Sequence, residues 1–491
     1  MLNKQENTTR YNSLEIGKEA FREMGHELID LLAEFYESIG ERAVTKGENP
    51  AAIDTILGHA PLPEEPCDAR AVIAKTTALV LEHSLLNGHP KFMGFITSSP
   101  TKIGLLAEML ATAVNPNMGA NILSPMATAI EKQTIRWLAE FIGVSPDCGG
   151  HLVSGGNMAN FTAFLAARTA KADKKLKTEG LHGIEERLVF YCSTTTHTWI
   201  EKAAVLFGHG MNAIRWIHPG QDNTMDTSLL RKTIQEDLSN GYKPFLVVGN
   251  AGDVSTGVVD NLAEIAGICK EYDLWFHVDG AYGIPAAAVP EYRSLFNGIE
   301  FADSLALDPH KWLYAPLEAG VVLVKNPQHL LDTYSAHPDY YNFEASKEGS
   351  TLNYYEYGFQ NSKGFKALKV WMALQQAGRS GYVQMIRDDI ALAGYLHEKA
   401  SAHPELEAHT HHLSITTFRY RPAGEHSDQY LNKLNENVVN AIQEGGEAFL
   451  SDAVINGNYF LRACIVNFRT TKHDLDELID IVVREGRKHT A

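Results

Sequence analysis

Cysteine is scarce and scattered in this chain. The five in 491 residues, Cys67, Cys148, Cys192, Cys269 and Cys464, form no C-x-x-C pair, which argues against a disulfide framework or a thiolate zinc site. No uninterrupted apolar run reaches the length needed to cross a bilayer. The opening residues, MLNKQENTTRYN, are polar where a secretory leader would be apolar. Positive charge is in deficit: 43 Lys and Arg stand against 60 Asp and Glu, a net charge of −17 that speaks against nucleic acid or anionic membrane as a general partner. The phosphate-binding G-x-x-x-x-G-K-[ST] and zinc-binding H-E-x-x-H patterns are missing, and Leu152 stands where the G-x-S-x-G elbow of a serine hydrolase needs glycine. These absences predict a soluble cytoplasmic protein without nucleic-acid, membrane or metal partners.

What is present reads as a large globular chain, 44% hydrophobic and 21% charged. Apolar residues at helical spacing (Leu14, Phe21, Met24, Leu28, Leu31, Leu32, Phe35) predict an amphipathic helix over about 13–41. The proline-rich stretch 60–66 marks a linker, and a second helix is expected over roughly 69–86. From about residue 150, short β-rich runs at 188–192, 213–217, 245–249, 274–278, 304–307 and 320–324 alternate with helical patterns. That alternation predicts a largely parallel sheet covered on both faces, with ligands beyond the carboxyl ends of its strands. After a long helix near 364–377 the remainder reads as a smaller α+β unit, with strands near 413–420 and 459–467. The expected organisation is an N-terminal helical segment over 1–88, a large α/β domain over 89–377 and a small domain over 378–491. The cluster His409-Thr-His-His412 lacks acidic or cysteine partners at ligand spacing and is read as solvated surface.

Four segments carry chemistry. In Ser304-Leu-Ala-Leu-Asp-Pro-His-Lys-Trp-Leu313, His310 and Lys311 follow an apolar strand, at an end where a ligand would sit. In Trp275-Phe-His-Val-Asp-Gly-Ala-Tyr282, Asp279 ends a buried strand, a costly position for a carboxylate without a cationic partner. In Leu152-Val-Ser-Gly-Gly-Asn-Met-Ala159, a strand, a small-residue turn (Gly155, Gly156, Asn157) and a helix start make a phosphate cradle of backbone N–H groups. His197 in Thr196-His-Thr-Trp opens a further helix after a strand.

In order and spacing these segments resemble the active-site motifs of group II decarboxylases that depend on pyridoxal 5′-phosphate (PLP), the family of aromatic amino acid and glutamate decarboxylases. Similar stretches run from the N-terminal helix through His89–Phe95, Ser124–Glu131 and Gly358–Lys369 to the C-terminal domain. The resemblance implies a fold of the aspartate aminotransferase type (fold type I) and decarboxylation of an L-amino acid to its amine and CO2. Lys311 would be the Schiff-base lysine and Asp279 the partner of the pyridinium nitrogen. His197 would stack on the ring, Ala281 lie against it, and Gly155, Gly156, Asn157 and His310 help hold the cofactor. It further implies a homodimer in which the partner's Asn361 and Ser362 approach the phosphate and a tyrosine from a loop of the partner returns the proton. Tyr354 matches that position, with Tyr355 as the neighbouring choice.

The pattern also departs from aromatic decarboxylases. Phe95, Ile96, Thr97 and Ser98 replace a more aromatic run, Gly119 and Asn117 stand where a phenylalanine and an isoleucine from the partner line the side-chain pocket, and Asp253 replaces a threonine. Phe95, Thr97, Ser98 and Tyr314 are taken as substrate contacts, with Phe92, Tyr340 and Tyr341 keeping an aromatic-lined site open. No arginine stands out as a clamp for a side-chain carboxylate. The substrate stays unnamed, and the alternatives are another PLP reaction on the same fold, such as aldehyde formation, or a non-catalytic scaffold.

Overall fold

The computed structural model describes residues 12–336 and 352–490. Its larger sheet has seven strands: β1 (Gly149–Val153), β2 (Arg187–Ser193), β3 (Ile214–Ile217), β4 (Tyr242–Asn250), β5 (Trp275–Asp279), β6 (Ser304–Leu307) and β7 (Gly320–Val324). They lie in the order β1-β7-β6-β5-β4-β2-β3. The pairs β2–β3, β2–β4, β4–β5 and β5–β6 are parallel, as the strand–helix alternation requires. β7 runs antiparallel to both β6 and β1, the one departure from the parallel expectation.

Side chains two apart along each strand separate into two cores. Val189, Tyr191, Val247, Phe276 and Val278 join the helices on one face. Leu188, Phe190, Leu246, Val248 and Trp275 join the helix Gly156–Lys171 on the other. β5 therefore turns Trp275, His277 and Asp279 toward that second helix. The continuous apolar runs of β2 and β4, buried on both sides, are what a covered parallel sheet demands.

A second, antiparallel sheet has the order β10-β11-β9-β8, formed by β8 (Leu406–His412), β9 (Ile415–Tyr420), β10 (Ser451–Ile455) and β11 (Asn458–Cys464). The histidine cluster lies on β8, paired with β9, and is not plain solvated surface. Thr410 is buried, and His409 stacks on Phe460 with ring centroids 4.3 Å apart. Among the described residues no group of potential metal ligands forms. Phe92 and Met93, in the segment expected to begin the large domain, pack on this second sheet: Phe92 stacks on Phe449 and Cys464 N–H donates to the Met93 carbonyl. One long helix, Ala367–Ala402, joins the two sheets and is interrupted at Gly378, whose φ of 64° belongs to the left-handed region. Near the N-terminus the helix Lys18–Ser38 buries Met24, half-buries Leu28, Leu32 and Phe35, and leaves Phe21 and Leu31 exposed among the described residues.

Candidate active site

The carboxyl ends of β2, β4, β5 and β6 surround a cavity of about 440 Å3. Gly155, Gly156, Asn157, His197, Asp279, Ala281, His310 and Lys311 all line it, so eight of the residues singled out in the sequence meet at one place. Each arrives by local geometry. β1 ends at Val153 and the helix begins at Gly156, with no side chain capping its first turn. Helices elsewhere take side-chain caps from Asn49, Asp68, Thr101, Asp226, Asn261 and Ser427. The first N–H groups of Gly156–Lys171 therefore remain for an anion. A methyl group on Gly156 would lie 2.8 Å from Asp308 Oδ2 and 3.2 Å from Ala281 Cβ, which is why the turn is glycine.

Lys311 follows β6 and places Nζ 3.0 Å from Asp308 Oδ2. Asp308 is 1% exposed and its Oδ1 has no partner among the described residues, a buried acceptor facing the site. Asp279 is 8% exposed. Its Oδ2 accepts from Trp199 Nε1 at 2.7 Å and Asn160 Nδ2 at 3.1 Å, and its Oδ1 accepts from Ala281 N–H at 3.2 Å. Neutral donors thus meet the cost of burying this carboxylate. Burial holds the His197 imidazole below the ordinary histidine value, against the opposing pull of Asp279. His310 is lowered in the same way by burial, with Nδ1 2.7 Å from the Ala319 carbonyl oxygen.

Four expected substrate contacts fall elsewhere. Tyr314 is fully buried and donates its hydroxyl to Asp389 Oδ2 at 2.7 Å, a core anchor for the loop after Lys311. Ser98 is buried and donates to the His310 carbonyl at 2.8 Å, so it supports the catalytic loop from behind. Thr97 lines a separate cavity of about 300 Å3 beside Phe35 and Tyr36. Phe95 turns its ring toward Phe449, while its neighbour Ile96 enters the Lys311 cavity. Gly119 and Asn117 make close contacts within their own chain. A methyl on Gly119 would lie 2.0 Å from the Asn361 carbonyl oxygen, and Asn117 Oδ1 accepts from Gly119 and Lys363 N–H. Asp253 lines the cavity but spends its oxygens on the turn it starts, accepting from Ser255, Thr256 and Val258 N–H.

Tyr354 lies outside this cavity. It is 2% exposed in a cluster with Met118 and Ala127, under the Lys363 ammonium 3.9 Å from its ring centroid. Its hydroxyl has no hydrogen-bond partner among the described residues, and burial pushes the phenol well above its ordinary value. Tyr355 is buried beside it, and Tyr340 and Tyr341 lie outside the described residues. Asn361 and Ser362 are exposed and distant from the lining of their own chain's cavity. The sequence reading missed Asp308, Asn160 and Trp199. Asp308 sits three residues before Lys311 and Asn160 one helical turn after Gly156, spacings that bring both to the same site.

Residues 57–421 match the pyridoxal-dependent decarboxylase conserved domain. The chain is 32% identical over 468 residues to an aromatic-L-amino-acid decarboxylase of Bacillus atrophaeus, covering 95% of each. It is 29% identical to tyrosine decarboxylase 2 of Arabidopsis thaliana, covering 96% of this chain and 88% of that one. A crystal structure of Oryza sativa TDC with PLP and tryptamine superposes with a TM-score of 0.90 at 23% identity, over 98% of this chain and 99% of that one, a likeness of fold.

Proposed function

The chain belongs to the pyridoxal-dependent decarboxylase family and is a PLP-dependent amino acid decarboxylase, and from that premise we propose how its residues divide the work. The carrying observation is that Lys311 Nζ, the Asp279 carboxylate, the His197 ring and the uncapped start of Gly156–Lys171 face one cavity. That set fits PLP: a phosphate for the helix N-terminus, an aldehyde for the lysine amine, and a ring nitrogen for Asp279 Oδ1. Among the described residues no side chain caps that helix end.

Bound there, PLP supplies a protonated ring that accepts the electron pair released when CO2 leaves Cα. Lys311 holds the cofactor between turnovers, with Asp308 fixing its amine. Asp279 would hold a proton at the cofactor's ring nitrogen, and His197 would orient the substrate for loss of its carboxylate. Ala281 bounds the opposite side. Lys311 and His197 line the same space and would be the groups able to carry a proton there.

We also assign a homodimer. The helix Lys102–Val114 exposes Leu106, Met109, Leu110 and Val114 at 48–68%, and Ile122, Leu123 and Met126 extend the same apolar character at 56–72%. In such a pair we read the exposed Asn361 and Ser362 as contacts to the other subunit's phosphate. Among the described residues no helix is long and apolar enough to cross a membrane, and five unpaired cysteines support a cytoplasmic location. The relatives named above act on ring-bearing amino acids, so the substrate search starts there. Purified, PLP-loaded protein is incubated with pooled L-amino acids and the products are read by mass spectrometry. An amine lighter than its parent by one CO2 names the substrate, whereas aldehyde products would overturn simple decarboxylation. Lys311→Ala is expected to lose turnover and the visible absorbance of the bound cofactor together.

A further inference from the structure

β5 turns Trp275, His277 and Asp279 onto one face, and that face meets the helix Gly156–Lys171. Every polar atom along this face is spoken for, and the bonds run in one direction. Asp279 Oδ2 can only accept, so Asn160 must present its amide N–H to it, at 3.1 Å. The Asn160 carbonyl oxygen then faces His277 Nε2 at 2.8 Å and requires a proton there. A neutral imidazole protonated on Nε2 has a bare Nδ1, which lies 2.8 Å from Ser304 Oγ and takes its hydroxyl proton. Ser304 Oγ in turn accepts from Trp275 Nε1 at 2.8 Å. From the other side Trp199 Nε1 donates to Asp279 Oδ2 at 2.7 Å, and its ring stands edge-on to His277 at 5.9 Å. Asn160, His277 and Ser304 are each 1% exposed or less, and Trp199 is fully buried.

The consequence lies in what remains. Both donors on Oδ2 are neutral, so no lysine or arginine competes for the charge of the carboxylate. Oδ1 takes a single, longer bond, from Ala281 N–H at 3.2 Å, and Asp279 lines the cavity. We propose that Trp199, Asn160 and His277 are positioning residues that clamp Asp279 through Oδ2, so that Oδ1 is left for the cofactor's ring nitrogen. The proposal rests on the reading of Asp279 as the partner of that nitrogen. It extends the site by a buried relay, Trp275–Ser304–His277–Asn160, that runs from strand to strand to helix. Burial keeps His277 neutral, holding its titration down to about 4, which preserves the direction of the relay throughout the neutral range.

The test is cofactor binding to the full-length apoprotein, read as a dissociation constant by equilibrium dialysis with PLP and as the visible absorbance of the reconstituted protein. Trp199→Phe removes one donor from Oδ2. His277→Leu cuts the relay, whereas His277→Gln restores an amide nitrogen where Nε2 lies. Trp199→Phe and His277→Leu are expected to weaken PLP binding roughly tenfold, the usual loss when the group orienting a ligating carboxylate is removed, and to alter the visible band. His277→Gln is expected to recover most of both, with apoprotein melting temperatures tracking none of this ordering. Leu and Gln variants that behave alike would overturn the relay, and that pair decides the matter even if Trp199→Phe does not fold. Asp279→Asn separates the two ideas. If it loses PLP while the other variants bind it normally, the clamp is refuted and Asp279 keeps its role. If it binds PLP normally with the same spectrum, the reading of Asp279 falls and the clamp with it.

Discussion

Tyr354→Phe sets burial against alignment. The sequence makes Tyr354 the proton donor delivered from a partner's loop, yet its hydroxyl is sealed beneath Lys363 in its own chain without a hydrogen-bond partner among the described residues. Reaching any active site would mean unpacking the ring from Met118 and Ala127 and uncovering the buried Lys363–Glu131 ion pair. A buried hydroxyl left unpaired costs about 1–3 kcal/mol. Phenylalanine keeps the ring and its contact with the ammonium and removes that cost, so stability is expected to hold or rise. For a chain of this length 1–3 kcal/mol corresponds to roughly 1–3 °C in Tm. Turnover, followed as amine formed by the PLP-loaded enzyme on its best substrate, is expected to stay within about twofold of the parent protein. Loss of a positioned proton donor instead costs on the order of 10²–10⁴ in rate. A fall of that size with an unchanged melting temperature would refute the structural argument and return Tyr354 to the mechanism.

Gly156→Ala forces a methyl to within 2.8 Å of Asp308 Oδ2 at the phosphate cradle. We expect PLP affinity, measured by dialysis, to drop about tenfold or more for a clash costing roughly 1–3 kcal/mol; an unchanged affinity would show that the cradle lies elsewhere. Lys363→Met leaves Glu131, which is 0% exposed, as an unpaired buried charge. Denaturant unfolding is expected to show a loss of about 3–5 kcal/mol, with much of it regained in the double variant that adds Glu131→Gln. His277 supplies a pH test. Its folded value of about 4 lies below the ordinary 6.5, so the unfolded chain takes up a proton first as pH falls. Its neutral form costs nothing above pH 6.5, and the protein loses stability from pH 6.5 down to about 4, by up to roughly 3 kcal/mol. Unfolding curves of the parent protein and His277→Gln are expected to diverge across that window and run parallel above it.

The strand-end motifs were legible because each is local. A strand of period two, a glycine turn and a helix start fix where Gly155, Gly156, His197, Asp279 and Lys311 point, and one parallel sheet brings such strand ends to a single edge. The same alternation in Trp275-x-His-x-Asp placed three polar side chains on one face, although their partners Asn160 and Ser304 lie on other elements. Reading failed where a loop chose between cavity and core. Tyr314, three residues past Lys311, swings to Asp389 on a helix 75 positions away, and Ser98 turns to a carbonyl 212 positions away. Tyr354 matched a motif, but Lys363 and Glu131, 232 positions apart in the chain, decided that it is buried. Backbone periodicity and turn chemistry are written within a few residues, so the sequence alone determined the sheet, the family and the strand ends that meet at the Lys311 cavity. Which face a loop residue shows is set by neighbours hundreds of positions away, and that only the tertiary structure decided.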